Sequence, residues 1–357
     1  MPPDLGPNNS DHGDFMCSSD ECEVYTEAEQ RERYGDGCSY YYPVYVGEVL
    51  DDGRYRVEHK LGWGGYSTVW LAQDMHENKS VALKIMVPGE EGERECYVHN
   101  EIIQNVVDLS GLTICKRAFY IDIPEDLNQG AVLFDMPPID NLTTAQRYEL
   151  FGRPRKILLD EVSWKQAELV EPLKFPKGCV GSNVYLGDFG LCIKAGTPVK
   201  RRMQGPARFC APELFHGADP SFATDMWAYM NLFACFYLGT DAIWGEGLLL
   251  TTRIIETFGP FPAHWKGSHY LQHVDKSGWF NPNPDMDYWY DPQTKTVPKM
   301  SLESKIDRLR PDISENERYH ALKVMYRGFQ YLPENRLTAA QLLEDESFKI
   351  VMGFYGI

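Results

Sequence analysis

The sequence predicts an α+β chain in which a small antiparallel sheet precedes a larger, mainly helical lobe. Three observations carry this expectation. Arg54-Tyr55-Arg56-Val57-Glu58-His59-Lys60-Leu61 alternates as a strand does, and two further strand-like runs, 67–73 and 80–86, follow a glycine-rich turn. The last third instead carries helical runs at 225–238, 251–258 and 338–344. Composition supplies the third: 357 residues with 43% hydrophobic, 13% aromatic and 24% charged content describe a globular chain with at least one sizeable core. Those values exclude a wholly disordered chain, a collagen-like repeat and a coiled coil.

The elements follow in order. Residues 1–41 are rich in Asp, Glu, Ser, Asn and Gly, bury too little apolar surface to offset ordering entropy, and are expected to form a disordered acidic tail. The first fifty residues hold eleven acids against Arg31 and Arg33, so about half of the net charge of −17 sits there and the body is only mildly acidic. A helix is expected at 93–107, phased by Cys96, Ile103 and Val107 with Asn100. The surplus of 52 acids over 35 bases argues against unaided nucleic-acid binding and favours basic partners. The apolar run 226–239 is too short to span a bilayer, and the amino terminus lacks the features of a signal peptide. Nine cysteines without a Cys-x-x-Cys pair suggest neither a zinc site nor a disulfide framework, and point to reduced thiols in an intracellular protein, cytoplasmic or nuclear.

Chemistry is concentrated in six ordered signals. Gly62-Trp63-Gly64-Gly65-Tyr66-Ser67-Thr68-Val69 joins two strand-like runs, where glycines let the backbone approach phosphates. Val81-Ala82-Leu83-Lys84 places a lysine fifteen residues beyond Val69, suited to clamping phosphate oxygens. Gly187-Asp188-Phe189-Gly190 offers an acid for Mg²⁺, and Ala211-Pro212-Glu213 begins 23 residues after Asp188. Asp225-Met226-Trp227 then opens an apolar helix, and Arg336 precedes the last short ones.

In this order the chain resembles a eukaryotic-type protein kinase, and the run from Tyr42 to Leu71 resembles the SR-protein kinases, their fungal relatives above all. The resemblance implies a bilobal protein-kinase-like fold, with a shortened small lobe at 42–123 and a large lobe at 124–357. It also implies ATP and Mg²⁺ as cofactors and a basic, Arg/Ser-rich protein as substrate. Leu61, Gly62, Gly64, Ser67, Val69, Ala82 and Lys84 would line the nucleotide site. Asp188 would hold metal. Glu101 would pair with Lys84, with Glu95 as runner-up. Glu213 would pair with Arg336 as a brace, and Asp225 would hold the catalytic-loop backbone, the alternative being a simple helix cap.

Two departures from the pattern bear on activity. The His-Arg-Asp loop with Asn five residues on is absent; Asp126 best fits the aspartate position, Pro124 and Glu125 replace His and Arg, and Ala131 stands where the metal-binding Asn belongs. Only 24 residues separate Glu101 from Asp126, about 60 fewer than the family fold uses for its hinge and neighbouring elements. Asp188 conversely lies 62 residues after Asp126, which implies an insert at about 135–180 that is either a docking element or a surface excursion. Three readings stay open: a serine/threonine kinase, a pseudokinase or docking module, and a truncated inactive product.

Overall fold

The computed structural model describes residues 12–16, 42–64, 67–86, 90–119, 132–134, 139–159, 167–176, 179, 181, 183–197, 199, 206–245, 247–268 and 284–357. The chain divides into two compact units, 1–192 and 193–357. The motif spacing places the lobe boundary at 123/124 instead. The difference arises because 139–159 and 167–176, expected within a large-lobe insert, belong to the first unit, where Ile139, Val170 and Leu173 pack against its first sheet.

Within the expected disordered tail, a short strand forms, β1 (Asp14–Phe15), which corrects that expectation for residues 12–16. The four-stranded antiparallel sheet follows the predicted alternation: β2 (Val49–Leu50), β3 (Tyr55–Gly64), β4 (Ser67–Asp74) and β5 (Lys79–Met86), in that spatial order. The β4–β5 turn is fixed by Asp74, whose Oδ1 accepts the backbone N–H groups of His76 and Glu77 while Arg54 grips Oδ2. Asn78 takes a left-handed φ of 53° there, a conformation its short amide side chain tolerates. One face of the sheet presents Val57, Trp70, Ala72, Leu83 and Ile85 to a core completed by Tyr42, Val44, Val46 and Val170. The opposite face turns Leu71 onto Ile139 and Leu173.

Helix α1 (Glu90–Asn105) follows, close to the expected span. Strand β6 (Val132–Phe134) pairs with the later β9 (Val184–Leu186). Between them, helix α2 (Thr144–Phe151) starts at Thr143 through a capping box with Gln146. Strands β7 (Arg155–Leu159) and β8 (Ala167–Val170) form a second sheet with β1. This segment is tied to the first sheet by polar links. Arg147 donates to both oxygens of Glu58 at 2.7 and 2.8 Å, and Asp140 accepts from the Ser80 N–H at 2.7 Å. Burial acts to raise the Glu58 carboxyl, but Arg147 and Arg56 overcome it and hold the group below the usual carboxylate range. Lys156 and Glu168, both fully buried, pair at 2.8 Å, and Glu168 also accepts the Val46 N–H.

The second unit is helical: α3 (Phe222–Leu238), α4 (Gly247–Phe258), α5 (Leu302–Leu309), α6 (Glu315–Gly328), α7 (Ala339–Glu344) and α8 (Glu346–Gly353). Ser221 caps α3 in a box with Thr224, and Gly239 ends it in the left-handed region at φ 71°. Trp227, Met230, Ala234 and Leu238 bury one stripe of α3. A Cβ on Gly328 would collide with Met230, so glycine sets how closely α6 approaches α3. Trp227 and Tyr237 on this helix are buried, whereas Phe236 is 70% exposed.

Candidate active site

The sheet register brings the first two signals together. Gly62 on β3 lies opposite Val69 on β4, which lies opposite Lys84 on β5, while Leu71 faces Ala82. Ser67 is buried opposite Gly64, and Leu61 packs beside Leu71. A Cβ on Gly62 would meet nothing within 4 Å, so open space lies above this row.

Lys84 donates to both Glu95 oxygens at 3.0 Å and to Asp188 Oδ1 at 2.5 Å. The partner on α1 is therefore Glu95, which corrects the expectation of Glu101. Helical geometry gives the reason. Glu95 and His99 are four residues apart and share one face, whereas Glu101, six residues beyond Glu95, is turned about 240° around the axis. Ile103 and Val107, which phased the helix in the sequence, are exposed, so that stripe marks the outer face.

Burial acts to raise the Glu95 carboxyl, but His99 and Lys84 outweigh it and keep the group below the usual range. His99 Nδ1 accepts the Cys115 N–H at 2.8 Å, so a neutral ring carries its proton on Nε2, 3.6 Å from Glu95. His99 is a residue the sequence analysis assigned no role. Its four-residue spacing from Glu95 was the available signal.

Asp188 is delivered by β9 and Gly187 and adopts a left-handed φ of 57°, uncommon for a residue with a Cβ. The next residue, Phe189, is buried and meets the His99 ring edge-on at 5.5 Å. Residues 111–113 brace this approach. Leu186 N–H donates to Gly111 and Thr113 N–H to Leu186, at 2.9 and 2.8 Å.

Asp126 and the catalytic-loop stretch 120–131 lie outside the described residues, as do Gly65 and Tyr66 at the glycine turn. In the second unit Arg336 donates to both Glu213 oxygens at 2.7 and 2.8 Å, a buried bidentate pair, and its guanidinium lies 5.2 Å from the Trp227 ring centroid. Asp225 sits in the first turn of α3, whose cap is Ser221, so the capping alternative for Asp225 is not what the structure forms. Among the described residues no cluster of three or more metal-ligating side chains occurs, and no described helix is long and apolar enough to cross a membrane.

No family model matches the chain. A serine/threonine protein kinase of Aspergillus fumigatus is 45% identical over 363 aligned positions, covering 85% of this chain and 86% of that protein. The chain belongs to the serine/threonine protein kinases. Two SR-type relatives match a shorter stretch. Protein kinase dsk1 of Schizosaccharomyces pombe is 51% identical over 63 residues, and serine/threonine-protein kinase SKY1 of Saccharomyces cerevisiae is 40% identical over 83. The chain spans only 11% of the length of either. The fold is the bilobal α+β kinase fold: a crystallised kinase domain, 15% identical, superposes with a TM-score of 0.55 over 87% of this kinase and 99% of that chain. The 363 aligned positions exceed the 85% of 357 residues they cover by about 60, so the alignment opens gaps in this kinase.

Proposed function

We propose that this kinase binds ATP with Mg²⁺ at the Lys84, Glu95 and Asp188 cluster and phosphorylates serine or threonine in basic, Arg/Ser-rich proteins. The observation that carries this reading is Lys84 held between two carboxylates beneath an open row of Gly62, Val69 and Ala82. The donor set fits the cofactor: an ammonium for phosphate oxygens, a carboxylate for the metal, and glycine backbone where a side chain would intrude.

Glu95 orients Lys84, whose ammonium would hold phosphate oxygens of the nucleotide. Asp188 would hold the metal. Leu61, Val69 and Ala82 give the apolar walls for a base, and Gly64 and Ser67 shape the turn over the phosphates. Asp126 accepts the hydroxyl proton of the substrate. ATP with Mg²⁺ supplies the activated γ-phosphoryl group, and the chain's own work is positioning and charge stabilisation. An acidic chain of net charge −17 attracts a basic substrate. Residence in cytoplasm or nucleus fits such a substrate.

A second reading, nucleotide binding without efficient transfer, is favoured by Ala131 at the metal-ligand position and by the gaps of about 60 positions in all. A thermal-shift titration with ATP and Mg²⁺, run beside Lys84→Ala and Asp188→Ala, tests the shared part. Stabilisation abolished by both substitutions supports nucleotide binding; a melt indifferent to ATP overturns both readings. Phosphoryl transfer to an Arg/Ser peptide then separates the two.

A further inference from the structure

Glu95 is approached from two sides. Lys84 donates to both of its oxygens at 3.0 Å, and one turn further along α1 the His99 ring places Nε2 3.6 Å from Oε1. The ring is held firmly. It is buried, its Nδ1 accepts the Cys115 N–H at 2.8 Å, and it meets the Phe189 ring edge-on at 5.5 Å. The Cys115 N–H is in turn placed from outside the helix, because two residues earlier the Thr113 N–H donates to the Leu186 carbonyl on β9. A ring nitrogen that accepts cannot also carry hydrogen, so the neutral ring keeps its proton on Nε2.

That proton has nowhere else to go. His99 Nε2 is a buried polar atom without a hydrogen-bond partner, and the Glu95 oxygen lies roughly 0.6 Å beyond an ordinary N–H···O length. The charges explain why such a donor is kept in reserve. The Lys84 ammonium gives its hydrogens to Glu95 and Asp188, and sharing it with phosphate oxygens leaves the largely buried Glu95 carboxylate short of compensation. A second donor, fixed in position and a few tenths of an ångström away, makes up that shortfall.

We propose that His99 is a positioning residue whose Nε2–H holds the Glu95 carboxylate while the Lys84 ammonium is shared with a nucleotide. The role in nucleotide binding rests on the reading of Lys84, Glu95 and Asp188 given above; the state of the ring does not. Full-length wild type, His99→Asn, Glu95→Gln and the double variant are titrated with ATP and Mg²⁺ by calorimetry. Asparagine retains an acceptor for the Cys115 N–H but cannot reach Glu95. It should weaken binding about tenfold in the wild type and less than about twofold beside Glu95→Gln. Glutamine, which keeps a donor at the reach of Nε2, should restore affinity to within about threefold. Equal losses in both backgrounds, or His99→Gln falling as far as His99→Asn, overturn the proposal, because a merely structural ring would behave so.

A second measurement needs neither nucleotide nor a change at His99. A proton–nitrogen correlation spectrum of the imidazole rings in the nucleotide-free chain, with His99 assigned through its contact with Phe189, should show hydrogen on Nε2 and none on Nδ1. The Nε2 signal should shift in Glu95→Gln. Hydrogen on Nδ1, or an Nε2 signal indifferent to Glu95→Gln, overturns the proposal. Failure of the wild type to bind ATP would instead count against the function proposed above and leave the ring spectrum to decide the contact between His99 and Glu95.

Discussion

The two units are held together by different physics. The second is an apolar assembly: Trp227, Met230, Leu250, Ile254, Leu302, Ile306 and Met325 bury nearly all their surface in one cluster, and the bidentate pair of Glu213 with Arg336 is buried beside it. In the first unit, smaller apolar clusters are stitched by charge pairs between distant segments, Glu58 with Arg147, Lys156 with Glu168, and Lys84 with Glu95 and Asp188. Hydrophobic burial tolerates the loss of one neighbour in proportion to volume. A buried pair does not, because removing one partner leaves the other charge in a medium that cannot solvate it.

That contrast is broken most severely at its two extremes. Trp227→Ala should cost the second unit about 4 kcal/mol through lost burial and a residual cavity, read as a lower midpoint in urea unfolding. Lys156→Met should cost the first unit about 3 kcal/mol by stranding Glu168, while Lys156→Met with Glu168→Gln should recover most of it, since the amide oxygen can still accept the Val46 N–H. No recovery in the double variant would mean that the pair is worth more than its desolvation penalty.

A pH scan sharpens the comparison, because among the described residues each unit contains one strongly shifted histidine. Burial pushes His59 in the first unit and His216 in the second down from 6.5 to about 4. Above pH 6.5 both states leave the rings neutral and the stabilisation is complete; as pH falls from 6.5 towards 4 the unfolded chain takes protons that the native chain refuses, and stability is lost. Each ring contributes about 3 kcal/mol on this reasoning, and His216→Gln should flatten the acid limb of the second unit alone. The smallest effect concerns the cluster. Glu95→Gln should weaken ATP–Mg²⁺ binding about tenfold in a thermal-shift titration, the loss of one charge-assisted hydrogen bond, while Glu101→Gln changes stability by less than ~0.5 kcal/mol and leaves binding intact.

The sheet of the first unit was legible because its alternation has period two and its glycine turn is distinctive; β3, β4 and β5 fall within a few residues of the runs that announce them. The long helices were legible for the same reason at period 3.6, as α3 and α4 show. What escaped was decided by polar partners that no periodicity reports. Glu101 fits the family position by its sequence context, yet Glu95 is the residue that Lys84 meets, and Ile103, spaced as a core residue would be, faces outward. Strands β7 and β8 fall in the stretch that motif spacing marks as an insert, and their buried Lys156 and Glu168 carry charge where a strand core is normally apolar. Asp126 lies outside the described residues, so the glycine turn, Lys84 and Asp188 are the parts of the site on which sequence and geometry can be compared.

The cover over Leu71 carries a consequence for how this protein is made. The sheet ends at Met86, but Ile139 and Leu173, which close its far side, are joined later; the Leu173 N–H reaches back to the Lys60 carbonyl and the Glu168 N–H to the Val44 carbonyl. On a ribosome adding roughly 5–20 residues per second, about 90 residues must be synthesised between sheet and cover, so the nascent sheet waits for roughly 4–17 s with an apolar face open to solvent. Long-range closure of this kind is also slow once the chain is free. During that interval the first unit exposes the apolar surface around Leu71 that Ile139 and Leu173 later close.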